Sequence, residues 1–463
     1  MKKYQTVLVC LMLLPLCLDS CRSKSGDNRP NILILMADDW NYPQMTDIVD
    51  PNISMPTFDR LAEEGMTFEN AFVSSPSCTP SRGSFLTGMH PWQLETGVNL
   101  WGALPARYKV FTDYLEEAGY FVGFRGKGWG PGILEECGRD YNPAGKIKTS
   151  TFEEFYEMKP DDQPFLFWFN TGDPHRPYEW GSGLAKGKDL SSVVLPPIWP
   201  DTDSVRMDIL DYFYEVERFD SLCGSVLDYL DIKGEIDNTV IIMTGDNGMP
   251  FPRAKASLYD IGTRAPLAIR WPGKVKAGKK VSDFVTLGHL APTFLEIAGL
   301  EPPDDMRFPS ILDVVLTKRS GQIRPGLDAV YSSIETHCGR YPMRAIQTAE
   351  YLYIRNYETE RPINQCKNYW ETPDGYSPTW VEITRLDKSD PIYQRVDGRR
   401  PYEELYYLPD DHYQLNNLAL DPAYREALND LRERLETEQR ETNDPRFLGT
   451  FEEVFYPVTK NSE

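Results

Sequence analysis

Short apolar runs alternate with amphipathic segments along much of the chain, and four of these runs stop abruptly at polar residues. The four runs lie in the stretches NILILMADDW, YFVGFRGKGW, PFLFWFNTGDPHRPY and TVIIMTGDNGMPF. Apolar runs of this length, separated by helical segments, are typical of buried strands in a parallel sheet. The pattern therefore predicts an α/β fold built on one large sheet.

Two of the intervening segments have the spacing and the ending of short helices. MPTFDRLAEEGMTF carries apolar residues at positions 58, 61 and 62 and stops at Gly65, and FTDYLEEAGY repeats the arrangement before Gly119. Glycine often follows the last turn of a helix, because it tolerates the backbone conformation that terminates one. We expect both segments to be helices that connect neighbouring strands.

The pattern changes after about residue 325, where the strand and helix alternation ends. YPMRAIQTAEYLYIRNY predicts two strands with a turn near Ala349 and Glu350. DPAYREALNDLRERLE predicts an amphipathic helix that Asp421 caps and Pro422 begins. Its apolar stripe consists of Tyr424, Ala427, Leu428, Leu431 and Leu435. We expect a large domain over residues 30–325 and a smaller α+β domain over 326–463.

The polar residues that follow the four predicted strands predict a single site. In open parallel sheets, ligands bind at the carboxyl ends of the strands, where the following loops converge. Asp, Asn, Gly and Pro also serve as ordinary turn and capping residues. Four polar clusters at one edge favour the site over that alternative. Their members are Asp38, Asp39, Lys127, Asp173, His175, Asp246 and Asn247.

Composition and charge narrow the range of ligands. Hydrophobic residues make up 41% of the 463 residues and charged residues 26%, which is ordinary for a folded protein. The chain has 70 acidic and 49 basic residues, a net charge of −21. A protein that neutralises phosphates needs a basic face, so nucleic acid is not an expected partner. The basic groups that bind any smaller anion must be few and local.

The first residues predict export. Two lysines precede an apolar run over residues 7–18, which is short for a membrane span, and we interpret residues 1–20 as a signal peptide. The sequence up to Cys21 resembles a bacterial lipobox, and ordinary cleavage is the alternative. A lipid on Cys21 would hold the protein through a tether over 21–29, in the periplasm or on the outer-membrane surface. We expect no other membrane contact.

The cysteines downstream of the predicted signal do not form a zinc motif. The chain has eight cysteines and no CxxC pair, which disfavours a structural zinc site. Cys137, Cys223, Cys338 and Cys366 allow three pairings if all four are bridged, and the sequence does not choose among them. Five histidines in the whole chain also leave little imidazole for zinc. Asp38, Asp39, Asp246 and Asn247 are instead hard oxygen ligands, which suit Ca²⁺ or Mg²⁺.

The stretch SPSCTPSRGSFLTG places Cys78 at the start of a predicted helix that ends near Gly88. Pro80 suits the first turn of that helix, and Arg82 adds a cation to an end that already favours anions. A lone cysteine is more often a small buried apolar residue or half of a disulfide. The neighbouring arginine and the predicted metal site favour a chemical role for Cys78.

These motifs resemble those of the type I sulfatases, which belong to the alkaline phosphatase superfamily. The sequence CTPSR, followed by Gly83 and LTG, resembles the signature in which a maturing enzyme converts the cysteine to Cα-formylglycine. GDNGMPFPRAKASLY, DPHR, YPMRAIQ, ELYYLPDDHYQLNNLALDP and ETNDP are most similar to the sulfamidase, or N-sulfoglucosamine sulfohydrolase, branch. The resemblance spans nearly the whole mature chain. It implies an alkaline-phosphatase-like sheet sandwiched by helices and a smaller C-terminal domain with an antiparallel sheet.

The resemblance also implies roles for individual residues. Calcium would be held by Asp38, Asp39, Asp246, Asn247 and the formylglycine at position 78. Arg82 would hold the hydrated formylglycine, and Asp246 could help deprotonate its attacking hydroxyl. Lys127 and Lys255 would bind sulfate oxygens, Lys255 standing where the sulfamidase branch has an arginine. His175 would protonate the leaving group. A formylglycine-generating or anaerobic sulfatase-maturing enzyme is an implied partner.

One position departs from the family pattern. The family has a histidine two residues after the lysine, as in GKxH, and Trp129 stands at that place in GKGWGPG. This departure motivates one alternative to a sulfatase, a glycan-binding homologue that has lost catalysis. A second alternative, independent of Trp129, is a phosphatase or phosphodiesterase of the same superfamily.

The substrate side is less specific. A sulfated saccharide is expected, with heparan-type N-sulfoglucosamine first and O-sulfated galactose or hexosamine next. Two polar and aromatic segments supply candidate sugar contacts, for which packing roles are equally open: Trp92, Glu95, Asn99, Trp101, Glu335, His337 and Arg344. We interpret His90, His289 and His412 as structural.

Overall fold

The computed structural model describes residues 29–41, 50–362 and 369–457. The predicted signal peptide, most of the tether, Cys21 and Cys366 lie outside these residues. Twelve strands are present in the described part of the chain. They are β1 (Asn31–Ala37), β2 (Met66–Phe72), β3 (Phe121–Arg125), β4 (Ile147–Thr149), β5 (Phe165–Asn170), β6 (Thr239–Gly245), β7 (Leu267–Arg270), β8 (Lys279–Thr286), β9 (Ala329–Thr336), β10 (Arg340–Thr348), β11 (Tyr351–Asn356) and β12 (Glu403–Tyr407).

The described residues also form fifteen α-helices. They are α1 (Pro56–Glu64), α2 (Cys78–Thr87), α3 (Phe111–Glu117), α4 (Leu134–Cys137), α5 (Phe152–Met158), α6 (Ser182–Ala185), α7 (Asp203–Ile232), α8 (Asp260–Thr263), α9 (Leu290–Ile297), α10 (Leu312–Leu316), α11 (Pro378–Thr384), α12 (Pro391–Asp397), α13 (Arg425–Glu441), α14 (Pro445–Leu448) and α15 (Phe451–Phe455). None of these helices is both long enough and apolar enough to cross a bilayer.

The large sheet has the strand order β4-β3-β5-β1-β6-β7-β2-β8 and is covered by helices on both faces. Successive side chains of a strand point to opposite faces, and β1 shows this directly. Leu33 and Leu35 pack into one hydrophobic core with α5 and α7, whereas Ile32 and Ile34 pack into a second core with α3 and α9. The predicted sandwich of a sheet between helices is confirmed.

One strand of the large sheet runs against the predicted parallel direction. β7 pairs antiparallel with both β6 and β2, and Thr244 pairs with Leu267. The chain after β6 remains at the edge where β6 ends, because residues 246–266 build part of the site described below. β7 therefore starts at that edge and must run back along β6. A parallel strand would have required a crossover to the opposite edge.

Gly65, which the sequence predicts as the glycine that ends the first helix, is required for close packing and not for a left-handed turn. α1 ends at Glu64, but Gly65 has φ −129° and is not in the left-handed region. A Cβ on Gly65 would lie 2.2 Å from the carbonyl oxygen of Ile269. Gly65 is therefore needed for the close approach of α1 to β7. Gly119, at φ 90°, does adopt the left-handed conformation.

The C-terminal part of the chain forms a separate four-stranded antiparallel sheet, as expected. Its strand order is β12-β11-β10-β9, and β10 and β11 are the two predicted strands around Ala349 and Glu350. α13 covers this sheet with buried Leu428, Leu431 and Leu435. The predicted boundary between residues 325 and 326 stays a prediction.

Candidate active site

The carboxyl ends of β1 and β6 lie side by side, and the predicted metal ligands that follow them, Asp38, Asp39, Asp246 and Asn247, are therefore brought together. Ala37 pairs with Gly245, so the polar residues that follow the two strands are neighbours. Ligand atoms of Asp38, Asp39, Asp246 and the thiol of Cys78 all lie within 4.8 Å of one another. Asp39 has φ 72°, a conformation that Asp tolerates better than most residues, and its N–H donates to Asp246 Oδ1 at 2.9 Å.

Asn247 completes this cluster with an oxygen that lacks a partner. Its Nδ2 donates to Asp39 Oδ1 at 2.6 Å, while its Oδ1 is buried and accepts no hydrogen bond from the described part of the chain. A buried polar oxygen without a donor is costly unless a cation or water satisfies it. Carboxylate and amide oxygens are the donors that hard divalent cations prefer. The side chains present therefore fit a calcium or magnesium ion.

Cys78 is the first residue of α2 and faces the carboxylates. It is 2% exposed, and its Sγ lies 3.4 Å from Asp38 Oδ1. Burial raises the pKa of the Cys78 thiol well above its ordinary value, although Lys127 and Lys255 act in the opposite direction. The helix ends as predicted at Gly88, which adopts a left-handed conformation with φ 66°. The sequence CTPSR thus places its cysteine directly over the metal-type cluster.

Three cations neutralise the three carboxylates. Lys127 Nζ lies 2.9 and 2.8 Å from the Asp38 oxygens, Lys255 Nζ lies 2.6 Å from Asp39 Oδ2, and Arg82 Nε lies 2.8 Å from Asp246 Oδ2. Burial alone would raise the pKa of Asp38, but Lys127 and the other cations outweigh it and hold that pKa well below its ordinary value. A divalent cation added to this balanced set would leave positive charge for an anion such as sulfate.

Arg82 ties the strand ends to the loop that carries Lys127. It is fully buried, and its Nη1 donates to the carbonyl of Gly128 at 2.7 Å and to Asn170 Oδ1 at 2.5 Å. Its Nη2 donates no hydrogen bond to the described residues and lies 3.8 Å from Asp38 Oδ1. Sequence reasoning missed Asn170, although a polar residue at the end of an apolar strand was a signal for it.

Two histidines border the cluster. His175 is 28% exposed, and its Nδ1 lies 2.6 Å from the carbonyl of Arg176, which leaves Nε2 3.9 Å from Asp39 Oδ2. His337, in the turn between β9 and β10, is buried, and its Nδ1 lies 2.8 Å from Ser77 Oγ. Burial, followed by the charges of Lys255, His175 and Lys127, lowers the pKa of His337 well below its ordinary value. The small sheet thus adds a neutral imidazole to the site.

Trp129 lies in the hydrophobic core. It is 2% exposed and packs in the same core as the apolar side chains of α2 and α3. A Cβ on Gly132 would lie 2.2 Å from the indole, so the loop is folded tightly over the ring. The backbone of Trp129 is held by Asn142, which accepts its N–H at 3.0 Å and donates to its carbonyl at 2.8 Å. Trp129 has a packing role at the position where the family pattern has a histidine.

Glu335 and Arg344, two of the candidate sugar contacts, belong to a buried ionic network. Both are fully buried. Arg344 contacts Glu335 Oε1 at 2.8 Å and Asp444 at 2.7 and 2.9 Å, and Arg446 also binds Glu335. A sugar would have to break this network to reach either residue. The network fastens α14 to β9 and β10.

We expect removal of the buried arginine to destabilise the protein strongly. Arg344→Ala leaves Asp444 buried without its main partner, and breaking a buried pair in this way costs about 3–5 kcal/mol. Arg434→Ala is the matched control, because Arg434 pairs with Asp328 at the exposed surface, where loss costs about 1 kcal/mol or less. Urea unfolding measures both. Equal shifts of the two midpoints would contradict the structural role of Arg344.

The other candidate sugar contacts differ in exposure. Trp92 is fully buried and donates to Thr442 Oγ1 at 2.9 Å, and Asn99 donates to the carbonyl of Phe455 at 2.8 Å. Glu95 accepts from Tyr108 at 2.7 Å. Trp101 is 62% exposed, and the N–H of its neighbour Leu100 donates to Thr336, the residue before His337. Trp101 is therefore the member of this group best placed to contact a sugar.

The remaining histidines, and the other cysteines in the described part of the chain, lie outside the cluster. His90 is buried against Glu438, and burial lowers the pKa of buried His289 to about 4. His412 is exposed. Cys137 and Cys223 are buried free thiols, whereas Cys338 is disulfide-bonded. The three pairings that the sequence allowed if all four cysteines were bridged therefore do not apply, since Cys137 and Cys223 each lie as free thiols in a hydrophobic core.

The sequence matches known families over most of its length. Residues 30–300 match the family Sulfatase, and residues 253–369 match the family N-sulphoglucosamine sulphohydrolase, C-terminal. The chain is 30% identical to human N-sulphoglucosamine sulphohydrolase over 501 aligned residues, which cover 97% of each protein. It is 26% identical over 468 residues to an ulvan-active sulfatase of Formosa agariphila, covering 88% of this chain and 74% of that protein.

A solved structure shares the fold. The structure of a protein in complex with its substrate, D-glucosamine-2-N,6-O-disulfate, matches with a TM-score of 0.65 and 19% sequence identity. The match covers 90% of this chain and 98% of that one. At this level of identity the likeness concerns the arrangement of strands and helices alone.

Proposed function

The chain belongs to the sulfatase family, and from that premise we propose that it uses formylglycine at position 78 and calcium to remove sulfate from a sugar residue of a sulfated glycan. The family establishes the general activity, which is that of a glycan sulfatase, a hydrolase of sulfate esters or sulfamates. The observation that carries the finer proposal is the position of Cys78 over Asp38, Asp39 and Asp246, with three cations around them.

The oxygen ligands and Cys78 have distinct tasks in this proposal. Asp38, Asp39, Asp246 and Asn247 would hold the calcium ion together with the modified side chain at position 78. Formylglycine, once formed and hydrated, would supply the hydroxyl that attacks sulfur as the bond from sulfur to the sugar oxygen or nitrogen breaks. Collapse of the hydrate to the aldehyde would then release sulfate, and a bound calcium ion would supply positive charge beside the hydroxyl. The unpartnered Oδ1 of Asn247 supports this assignment.

The basic residues then act on the sulfuryl group and the leaving group. The ammonium groups of Lys127 and Lys255 contact Asp38 and Asp39, so both lie beside the cluster. There they would bind the sulfate oxygens as negative charge develops on those oxygens. Arg82 holds Asp246 and the Lys127 loop in place. His175 Nε2 would donate a proton to the leaving oxygen or nitrogen, since its Nδ1 is engaged by the backbone. His337 would orient Ser77 next to the nucleophile.

We expect metal binding to be measurable without catalysis. Calcium should raise the melting temperature of the purified protein, and EGTA should reverse the effect, because a ligand that binds only the folded state stabilises it. Asn247→Ala removes one oxygen ligand and should weaken calcium binding by about tenfold or more. Asn429→Ala, on the exposed face of α13, is the control. Two bound zinc ions and no calcium, found by elemental analysis, would contradict the assignment and favour a phosphatase or phosphodiesterase.

The sugar that carries the sulfate is a further part of the proposal. Heparan-type N-sulfoglucosamine is the first choice, supported by the similarity to N-sulphoglucosamine sulphohydrolase, and O-sulfated galactose or hexosamine is the second. The exposed ring of Trp101 is the proposed contact for the sugar at the rim. Glu335 and Arg344 are left out of the proposed contacts, since their partners are internal.

A panel of defined sulfated saccharides tests the function. Purified, matured protein is incubated with N-sulfated, 6-O-sulfated and 2-O-sulfated hexosamines and with sulfated galactose, and released sulfate is measured. Release from at least one member is expected. A matured protein that binds these sugars and releases sulfate from none would support the glycan-binding alternative.

The proposal includes location and maturation. The predicted signal peptide and Cys21 support an exported lipoprotein in the periplasm or on the outer-membrane surface. A formylglycine-generating or anaerobic sulfatase-maturing enzyme would have to act on Cys78 before folding, because the thiol is almost fully buried in the folded chain.

A further inference from the structure

A cavity of about 390 Å³ lies next to the loop that carries His175. It is enclosed by that loop, by the first turns of α7 and by α11. A volume of this size is typical of a small-ligand site. The lining residues that matter here are Arg176, Trp180, Asp208, Asp211, Tyr376 and Arg385.

From this cavity we propose a second saccharide site, which binds an uncharged pyranose unit of the same glycan whose sulfated unit occupies the active site. The inference rests on the proposed function for its substrate and extends it to the neighbouring sugars. No residue of the cavity belongs to the Cys78 and carboxylate cluster.

The cavity and the active site share their walls. The loop after β5 gives His175 to the active site and Arg176, Tyr178 and Trp180 to the cavity. Tyr178 donates to the carbonyl of Pro174 at 2.8 Å, which closes the loop between the two sites.

Tyr369 lies between the two sites. Burial raises the pKa of Tyr369. The charges of Lys255, Asp39 and Cys78 in the active site, and of Arg176 in the cavity, also influence the pKa of its hydroxyl. A Cβ on Gly375 would lie 2.6 Å from the Tyr369 ring, so the segment that ends in Tyr376 packs against it. The loop after β5, which gives His175 to one site and Arg176 to the other, places the two sites within reach of one glycan chain.

Two aromatic rings line the cavity and remain exposed. Trp180 is 56% exposed and Tyr376 is 49% exposed, and both line the recess. The C–H face of a pyranose packs favourably on such rings, because it removes apolar surface from water while the sugar hydroxyls stay solvated. The two rings thus offer apolar surface inside a recess on which one sugar ring can pack.

The charged groups of the cavity are already paired with one another. Arg176 binds Asp208 through two contacts of 2.8 Å, and Arg385 pairs with Glu382. Asp211 accepts from the N–H groups of Gly181 and Gly183 at 2.9 Å. Every cation that lines the cavity thus has a carboxylate partner, in contrast to the active site, where an added metal would leave positive charge. An uncharged sugar fits this surface better than a sulfated or carboxylated one.

The charge of the cavity bears on the choice of glycan. Glycans that alternate with uronic acids would bring a carboxylate into a recess where acidic groups outnumber basic ones. Glycans in which the sulfated unit has neutral hexose or N-acetylhexosamine neighbours would bring no carboxylate into the recess. Heparan-type glycans alternate glucosamine with uronic acids, so the cavity favours the second choice of substrate, O-sulfated galactose or hexosamine with uncharged neighbours, over the first.

Direct binding of unsulfated sugars tests the proposal independently of catalysis. Calorimetric titration of the full protein with lactose and with N,N′-diacetylchitobiose should show binding that Trp180→Ala and Tyr376→Ala each weaken about 3- to 10-fold. Tyr402→Ala is the matched control, since Tyr402 is 57% exposed and lines no part of the cavity. A uronic-acid-containing disaccharide without sulfate should bind more weakly than either neutral sugar.

Kinetics with short and extended substrates provide the second measurement. Trp180→Ala should raise KM for a sulfated trisaccharide with neutral extensions and leave the sulfated monosaccharide unchanged. Failure of both neutral sugars to bind, tighter binding of the uronate, or equal effects of Trp180→Ala and Tyr402→Ala would overturn the proposal. Loss of sulfate release from every substrate, with neutral sugars still bound at Trp180, would instead contradict the proposed function alone.

Discussion

Replacing Cys78 with alanine is expected to abolish sulfate release while leaving the fold intact. The thiol makes one polar contact, at 3.4 Å to Asp38, so its removal disturbs little of the surrounding structure. The nucleophile that the modified residue would provide has no substitute among the neighbouring side chains, because each carboxylate and cation is engaged by another. We expect kcat to fall by about 10⁵-fold or more, a large share of a typical enzymatic rate enhancement.

A second buried cysteine makes the comparison specific. Cys137→Ala removes a thiol of similar burial outside the cluster and should keep its activity. Mass spectrometry of the peptide that contains residues 74–88 should show formylglycine in the active wild-type protein. Sulfate release undiminished in Cys78→Ala would contradict the proposed mechanism. An unmodified thiol in a protein that still binds glycans would favour the non-catalytic alternative.

Replacing His175 with alanine is expected to slow the reaction in a way that depends on the leaving group. A sugar alkoxide or amine is a poor leaving group and needs a proton, whereas an aryl oxide leaves without one. Loss of a general acid typically costs about 10²–10⁴-fold, and we expect a loss of that size for a sulfated sugar. A 4-nitrophenyl sulfate should be hydrolysed by His175→Ala at a rate much closer to that of the wild type.

His337, the second histidine of the site, provides the comparison that can contradict the assignment of His175 as the general acid. His337→Ala should impair both substrates alike, since His337 contacts Ser77 and is proposed to position the nucleophile. His412→Ala is the control on the exposed surface and should behave as the wild type. If His337→Ala rather than His175→Ala shows the dependence on the leaving group, the general acid is His337.

Much of the fold was predictable, because it depends on patterns that are local in the chain. The continuous apolar run of β1, which is buried on both faces of the sheet, and the apolar stripe of α13 are properties of consecutive residues, and both are present as expected. The meeting of Asp38 with Asp246 was also predictable, since parallel strands place their carboxyl ends at one edge. Sequence resemblance then supplied the family, which the matches to the Sulfatase family confirm.

Other features required the tertiary structure, because they depend on which groups pair across long distances. Glu335, Arg344 and His337 lie in one polar segment, yet two of them are consumed in a buried ionic network and the third reaches the site. Nothing in the local sequence distinguishes a charged side chain that has a buried partner from one that awaits a ligand.

The sequence by itself therefore determined the strands, the polar strand ends and the nucleophile motif, since each is written in neighbouring residues. Only the tertiary structure decided the direction of β7, the packing role of Trp129, the free thiols of Cys137 and Cys223, and the aromatic cavity around Trp180. The physical reason is that burial and charge pairing depend on residues brought together from distant parts of the chain, and their energies have no local signature.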